Sequence, residues 1–193
     1  VKLERAGGDV ISVPIAQLCG ADQQHILELA GIDPSSYILP SQRRAVPPKD
    51  ELEAKAKEIR GIYAEQFEAA TDPMSRKALA VKLFDTAKQN SGGPPADEFV
   101  LIEEAMGWAA KSGGIEFFQQ CAERLSQLFH IKPADLVVRK VEALYQASRT
   151  VPMKPETTRK VALLGSMLID EAIKTSAYDA AERAAGISSS IAL

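Results

Sequence analysis

The spacing of the apolar residues changes along this chain, from strict alternation at its start to a helical period over most of its length. Val1 and Leu3 alternate with polar residues, and Ile11 and Val13 do so again after a Gly-Gly-Asp sequence. Two short alternating runs around such a turn predict a β-hairpin. Pro14 closes the second strand because it has no N–H to donate.

Beyond the hairpin, residues 21–30 predict a short helix that Gly31 stops. From Asp50 onward apolar residues recur at steps of three and four. This predicts roughly six or seven further helices of about 15 to 22 residues, joined by Pro- or Gly-rich breaks. The last of them, around Tyr178 to Ala185, is expected to end at Gly186. The first helix of this series has the apolar face Leu52, Ala56, Ile59, Tyr63 and Phe67.

The third helix of the series carries two apolar stripes, which predicts burial on two sides, as in the middle of a stack. Short connections favour sequential antiparallel packing. The stretches EEAMGWAAKSGGIEFFQQCAERL and LIDEAIKTSAYDAAERAA are similar to degenerate tetratricopeptide hairpins. We therefore predict a mainly α fold, an antiparallel helical-hairpin stack of the tetratricopeptide-like or α-solenoid kind, preceded by the β-hairpin and its helix. The two stripes are Phe99, Ile102, Met106 and Ala109, and Leu101, Ala105 and Trp108.

These patterns divide the chain into four parts. Residues 1–30 form a partial β-module, 31–48 a linker, 49–187 the helical-hairpin domain and 188–193 a tail. An isolated hairpin is only marginally stable in water, so the β-module needs a neighbour. Because the chain begins without Met on a strand, we expect it to be a piece of a longer protein.

The N-terminal stretch VKLERAGGDVISVPIAQLCGADQQHI resembles the second half of the Sla-type homology domain (SHD). SHD is a small SH3-like β-barrel module found in a yeast endocytic adaptor and frequently in planctomycete bacteria. Cys19 departs from the usual Ser, and a thiol is a weaker helix cap; His25 stands where an aromatic residue is common. The first half of the module, with its Trp-containing strand, is missing from this chain. The matching residues are Val13, Pro14, Leu18, Cys19, Asp22, Gln23 and Ile26.

The resemblance has limited functional content. The adaptor's module binds Asn-Pro-Phe-x-Asp peptides, but no ligand-contacting residue can be carried over, because half of the module is absent. The helical part is also similar to the tetratricopeptide-like regions of planctomycete proteins of unknown function. That similarity implies a cell-envelope or exported protein, whereas the low cysteine content leaves a cytoplasmic location equally open.

Composition and charge exclude some classes of function. The 193 residues are 46% apolar and 25% charged with a formal net charge of −3, which is typical of a globular protein with a core. Mixed charges of this kind do not form a nucleic-acid footprint. The basic cluster of Arg43, Arg44 and Lys49 is expected to lie in a solvated linker. No apolar run reaches the roughly 20 residues that cross a bilayer, so no membrane insertion is expected.

Residues that could carry chemistry are few and dispersed. His25 and His130 are the only histidines, and their surroundings in the sequence fit neither a zinc site nor a catalytic triad. His130 is expected at a helix C-terminus, where its partial positive charge suits the helix dipole. Cys121 falls on an apolar helix face and is predicted to be a small buried hydrophobe. A Cys19–Cys121 disulfide is the less favoured alternative.

Two further features have ordinary structural explanations. Glu103 and Glu104 point about 100° apart on a helix, which predicts a solvated face rather than a catalytic pair. Trp108 is predicted to lie in the core with its indole N–H hydrogen-bonded. No phosphate-binding glycine motif is present. The sequence therefore predicts no catalytic, cofactor-binding or metal-binding residue.

Three functions from different classes fit these observations. The favoured one is a non-enzymatic protein-interaction scaffold whose helical groove binds a peptide or protein partner of unknown identity. The alternative is a structural spacer or assembly element of a larger cell-envelope protein, with homo-oligomers forming through the exposed edges of the hairpin. An enzyme of unrecognised class is the third, and it would require clustered polar groups with perturbed pKa values in a pocket.

Overall fold

The computed structural model of the protein describes residues 2–4, 10–12, 20–29, 42–150 and 155–192. The chain divides into two compact units, residues 1–44 and residues 45–193. None of the helices in the described ranges is long and apolar enough to cross a lipid bilayer.

The first unit contains two short strands and one helix. Strands β1 (Lys2–Glu4) and β2 (Val10–Ser12) pair antiparallel, with Leu3 opposite Ile11. Helix α1 (Gly20–Leu29) follows them. The predicted turn between the strands lies outside the described residues, as does most of the predicted linker.

The second unit is helical, and its sequence marks several helix boundaries directly. Four of its helices begin with a proline, whose fixed φ and missing N–H suit the first position of a helix. Asp72 caps α4 as its position before Pro73 predicts, and its carboxylate accepts hydrogen bonds from Met74 N and Ser75 N at 2.8 and 3.1 Å. The helices are α2 (Lys49–Ile62), α3 (Ala64–Ala69), α4 (Pro73–Gln89), α5 (Pro95–Ser112), α6 (Ile115–Leu128), α7 (Pro133–Thr150), α8 (Pro155–Lys174) and α9 (Tyr178–Ala192).

These helices pack in two layers. Helices α2, α5, α7 and α9 lie side by side in one layer, each in contact with the next. Helices α4, α6 and α8 form the other, where α6 packs against α8 and the rings of Phe84 and Phe117 join α4 to α6 with centroids 5.3 Å apart. The predicted mainly helical fold is confirmed.

Helix α5 is the centre of the core. It contacts α2, α4, α6 and α7, and both of its predicted apolar stripes are buried. The Phe99 ring meets that of Phe129 edge to face at 4.9 Å, and neither side chain is exposed. Two of its glutamates, Glu104 and Glu103, face Arg60 of α2 and Arg139 of α7, whereas Glu98 lies 3.8 Å from Arg124 of α6.

The prediction of one continuous helix from Leu52 to Phe67 is wrong. A turn at Tyr63, with φ −100° and ψ 13°, separates α2 from α3. Phe67 N still donates to the Tyr63 carbonyl at 2.9 Å, so the four-residue apolar spacing passes through the turn unchanged. Periodicity alone therefore could not reveal the break, although Gly61, a weak helix former, lies just before it.

The predicted end of the last helix at Gly186 is also wrong. Helix α9 continues to Ala192, into the stretch predicted to be a tail. A glycine inside a helix costs about 1 kcal/mol relative to alanine. Burial of Ile187, which is 3% exposed, offsets that cost, because a buried isoleucine contributes about 1.5–3 kcal/mol.

Candidate functional site

A groove runs along α5, with α2 and α3 on one side and α7 on the other. Its volume is about 1090 Å³, and an adjoining cavity of about 650 Å³ shares Arg60 and Arg139 with it. We call this feature the α5 groove. Residues that define it include Arg60, Phe67, Gly107, Trp108, Lys111 and Arg139.

Gly107 lies on the floor of the groove. A Cβ atom built at this position would meet no atom within 4 Å, so the space in front of it is open. The packing of the helices therefore does not require glycine here, although alanine would make a more stable helix. The missing side chain leaves room in the groove at the expense of helix stability.

An aromatic pair forms one wall. The rings of Phe67 on α3 and Trp108 on α5 are tilted against each other, with centroids 5.1 Å apart. Trp108 is buried, with 8% of its surface exposed, as predicted. The prediction that its indole N–H is hydrogen-bonded is wrong, because Nε1 is buried and has no hydrogen-bond partner within the described part of the chain. Leaving a buried donor unpaired costs about 1–3 kcal/mol.

Two carboxylates of α5 take part in ion pairs between helices. Arg60 Nε on α2 donates to Glu104 Oε1 at 2.7 Å, and Arg139 on α7 donates to Glu103 Oε1. The Arg139 guanidinium also lies 4.9 Å from the centre of the Phe99 ring. The prediction that these glutamates form a solvated face is wrong, since the side chain of Glu103 is only 27% exposed and that of Glu104 only 14%. Charged groups on α2 and α7, which the local sequence could not place, face them.

The pKa of Glu103 is shifted despite its ion pair with Arg139. Burial raises its pKa above the usual value, although the charge and hydrogen bond of Arg139 oppose the shift. The neighbouring Glu104 raises the pKa of Glu103 further by repulsion, and Arg60 lowers it. Desolvation of the charged form therefore outweighs the attraction of the guanidinium.

Lys111 lies at the end of the groove nearest the aromatic pair. Its Nζ is 4.1 Å from the centre of the Trp108 ring, a cation–π distance. Burial lowers the pKa of Lys111, and the attraction of Glu104 opposes that shift while the repulsion of Arg60 and Arg76 adds to it. In the described ranges Lys111 has no carboxylate oxygen within the 4.0 Å of an ion pair. Lys111 is thus a half-buried cation without an ion-pair partner there.

The histidines and cysteines do not join this site. Cys121 is a free thiol with no exposed surface, on the α6 face that packs into the core, and burial raises its pKa to about 12. This agrees with its prediction as a buried hydrophobe. His130 lies two residues beyond the end of α6, is exposed and lines the far end of the groove. His25 is exposed on α1, and Cys19 lies outside the described residues.

The basic cluster near the predicted linker is only partly solvated. Arg43 and Arg44 are half-buried, so the prediction for them is wrong, whereas Lys49 is exposed and begins α2. Arginine stems commonly pack against apolar surface while the guanidinium reaches a polar partner. Across the described ranges, no three His, Cys, Asp or Glu side chains are grouped closely enough to hold a metal ion.

Sequence reasoning missed four residues of the site: Arg60, Gly107, Lys111 and Arg139. The three cationic residues are ordinary for exposed helix positions, and only the arrangement of α2, α5 and α7 brings the four together. One signal was available. Gly107 is a glycine inside a stretch of residues that favour a helix, and such a glycine often has a packing or functional reason.

Comparison of the chain with protein-family models, with curated proteins and with solved structures gives no match.

Proposed function

We propose that the helical unit is a non-enzymatic protein-interaction module that binds a peptide segment of a partner protein in the α5 groove. The observation that carries this proposal is the groove itself, with an open floor at Gly107, an aromatic wall and charged groups along its length. Peptide grooves typically combine apolar contact area with a few placed polar groups.

The dimensions suit an extended segment rather than a small molecule. Along α5 the groove reaches from Val100 to Lys111. That distance is about 16 Å at the helical rise of roughly 1.5 Å per residue. An extended peptide advances about 3.3 Å per residue, so about five residues would fill it.

We infer that the stack is tetratricopeptide-like and that residues 1–30 belong to an SHD-like module. Support for the first comes from the two-layer order, in which α2, α5, α7 and α9 lie side by side and each contacts the next. Support for the second is the sequence resemblance, together with the antiparallel pairing of Leu3 with Ile11.

An enzymatic function would use the perturbed groups in the groove. Glu103 and Lys111 are such groups, and both line it. Burial is the largest cause of each shift, and Glu103 is already held by Arg139. A carboxylate engaged by a guanidinium is a poor general base, so we favour binding over catalysis.

The structural-spacer alternative relies on the β-hairpin, whose strands pair only with each other in the described residues. Such edges can add strands from a second copy. A concentration-dependent dimer measured by light scattering would favour that alternative, and the peptide-binding test below is independent of it.

The test is selection of random twelve-residue peptides displayed on phage, with the whole chain as bait, followed by affinity measurement on three proteins. Gly107→Gln places a side chain into the groove. Gly61→Gln is the matched control, since Gly61 is also a helical glycine with no atom within 4 Å of a built Cβ, but it does not line the groove.

We expect the selected peptides to bind the native protein and Gly61→Gln equally, and to bind Gly107→Gln at least tenfold more weakly. Both substitutions add helix propensity, so loss of fold does not account for a difference between them. Equal binding to all three proteins, or a selection that enriches no sequence, would contradict the proposal.

A further inference from the structure

We propose that the α5 groove selects segments carrying an internal Asp or Glu side chain, which pairs with Lys111, next to an aliphatic side chain that packs on Phe67 and Trp108. This inference rests on the proposed peptide-binding function and names the chemistry that the groove recognises. It concerns a partner protein of this local composition and no other ligand class.

The first step is the position of the cation. Lys111 Nζ lies 4.1 Å from the centre of the Trp108 ring, and that ring lies 5.1 Å from the ring of Phe67. All three side chains line the same groove. A ligand that reaches the ammonium group therefore also lies against the two rings, so a charged group and an adjacent apolar group are recognised together.

The second step is the balance of charge. Arg60 and Arg139, two other cations of the groove, donate to Glu104 and Glu103, and their charge is therefore neutralised within the fold. Lys111 has no such partner within the described part of the chain. A carboxylate from a ligand is the group that would complete the same pattern of ion pairs.

The remaining charged groups do not remove this preference. Asp135 and Lys132 lie toward the other end of the groove and are exposed, one of each sign. Glu142, on α7, is bonded to Arg183 of α9 at 2.6 Å. The buried guanidinium of Arg76 donates to the backbone carbonyls of Ala70 and Thr71, so it adds positive charge near Lys111 without bonding a carboxylate through these contacts.

The third step is the environment of the Lys111 ammonium group. Lys111 lies half-buried in the last turn of α5, where the helix dipole and the Trp108 ring favour a cation, but no carboxylate oxygen of the described residues forms an ion pair with it. Burial lowers its pKa. A ligand carboxylate would add the charge-assisted hydrogen bond that neither the helix dipole nor the ring supplies.

We commit to an internal side chain because a segment within a partner chain continues beyond the groove in both directions. At Lys111, the last residue of α5 that lines the groove, such a segment presents a side chain and not a terminus. An Asp or Glu side chain there can reach the ammonium group while its neighbour in the segment lies against the rings of Phe67 and Trp108.

The experiment compares peptides selected on the native chain with their altered forms, by fluorescence polarisation. Each labelled peptide is made with its Asp or Glu, with the corresponding amide, and with an amidated C-terminus. The proteins are the native chain, Lys111→Met, and the control Lys77→Met, which removes the same charge from an exposed position of α4 outside the groove. Circular dichroism establishes that each variant is folded.

We expect selected peptides to share an acidic residue beside an aliphatic one. Changing that acid to its amide should weaken binding to the native chain and to Lys77→Met by about 10- to 100-fold, the range for a charge-assisted hydrogen bond. The same change should have an effect of less than about threefold on Lys111→Met, since the pair is then already broken.

Other outcomes overturn the inference in distinguishable ways. Peptides that are blocked by Gly107→Gln but show no acid dependence would refute the role of Lys111 and leave peptide binding intact. Loss of affinity on C-terminal amidation alone would replace the internal acid with a chain terminus. A selection that enriches nothing would overturn both this inference and the proposed function.

Discussion

Replacement of Gly107 by alanine should stabilise this protein, although most substitutions in a helical core destabilise. Gly107 lies inside α5 with helical neighbours on both sides, and its added Cβ would meet no atom within 4 Å. The change therefore introduces no overlap and fills no gap. Its effect reduces to the difference in helix propensity between the two residues.

That difference sets the magnitude. Alanine is favoured over glycine inside a helix by about 0.8–1.0 kcal/mol, because glycine loses more backbone entropy on folding. For a domain of this size, a gain of about 1 kcal/mol raises the midpoint of thermal unfolding by about 2–4 °C. The change in free energy of unfolding should come with an unchanged denaturant slope, since no new surface is buried.

Gly113, at the end of the same helix, provides the opposite control. Its φ is +75°, in the left-handed region, and a Cβ there would lie 3.1 Å from Thr157 Cγ2. A left-handed conformation costs a residue with a Cβ about 1–2 kcal/mol, and the close contact adds to it. Gly113→Ala should therefore destabilise the protein by at least about 1 kcal/mol.

Urea unfolding of the native protein, Gly107→Ala and Gly113→Ala, followed by the helical circular dichroism signal, measures both changes in free energy of unfolding. The reasoning is refuted if Gly107→Ala lowers the free energy of unfolding, because that result would mean that something packs where the groove is open. Equal effects at the two positions would also refute it, since the argument depends on their different backbone conformations.

Two further predictions concern titration. The pKa of Glu103 is raised above 4.5 by burial, so between that value and the folded pKa the native state holds more protons than the unfolded state, and the free energy of unfolding falls as pH rises. The stability of Glu103→Gln relative to the native protein should therefore increase as the pH is raised above 4.5. Urea unfolding measures this difference, and a flat or falling difference would contradict the prediction. The second concerns Cys121, whose thiol has a pKa of about 12 and no exposed surface. In a Cys19→Ser variant, Cys121 should therefore react with iodoacetamide only when the protein is unfolded, as measured by mass spectrometry. Rapid labelling of the folded protein would show that the core opens.

The helical architecture was largely readable from the amino-acid sequence. Apolar spacing predicted the run of helices after Asp50 and the burial of α5 on two sides. The failures, at Tyr63 and Gly186, have different causes. At Tyr63 the four-residue apolar spacing continues through the turn, so the pattern gives no sign of the break. At Gly186 tertiary burial overrides the local signal, because Ile187 is buried beyond the glycine.

What the sequence determined by itself is the set of apolar faces, because the period of a helix is a local property of the backbone. Only the tertiary structure decided which polar residues meet across those faces. Glu103 finds Arg139, Glu104 finds Arg60, and Lys111 is left beside Trp108 without a carboxylate in the described ranges. Charges interact through space at distances of a few ångströms, so each glutamate pairs with an arginine that is far away in the sequence. The separations are 36 residues for Glu103 and Arg139 and 44 residues for Glu104 and Arg60.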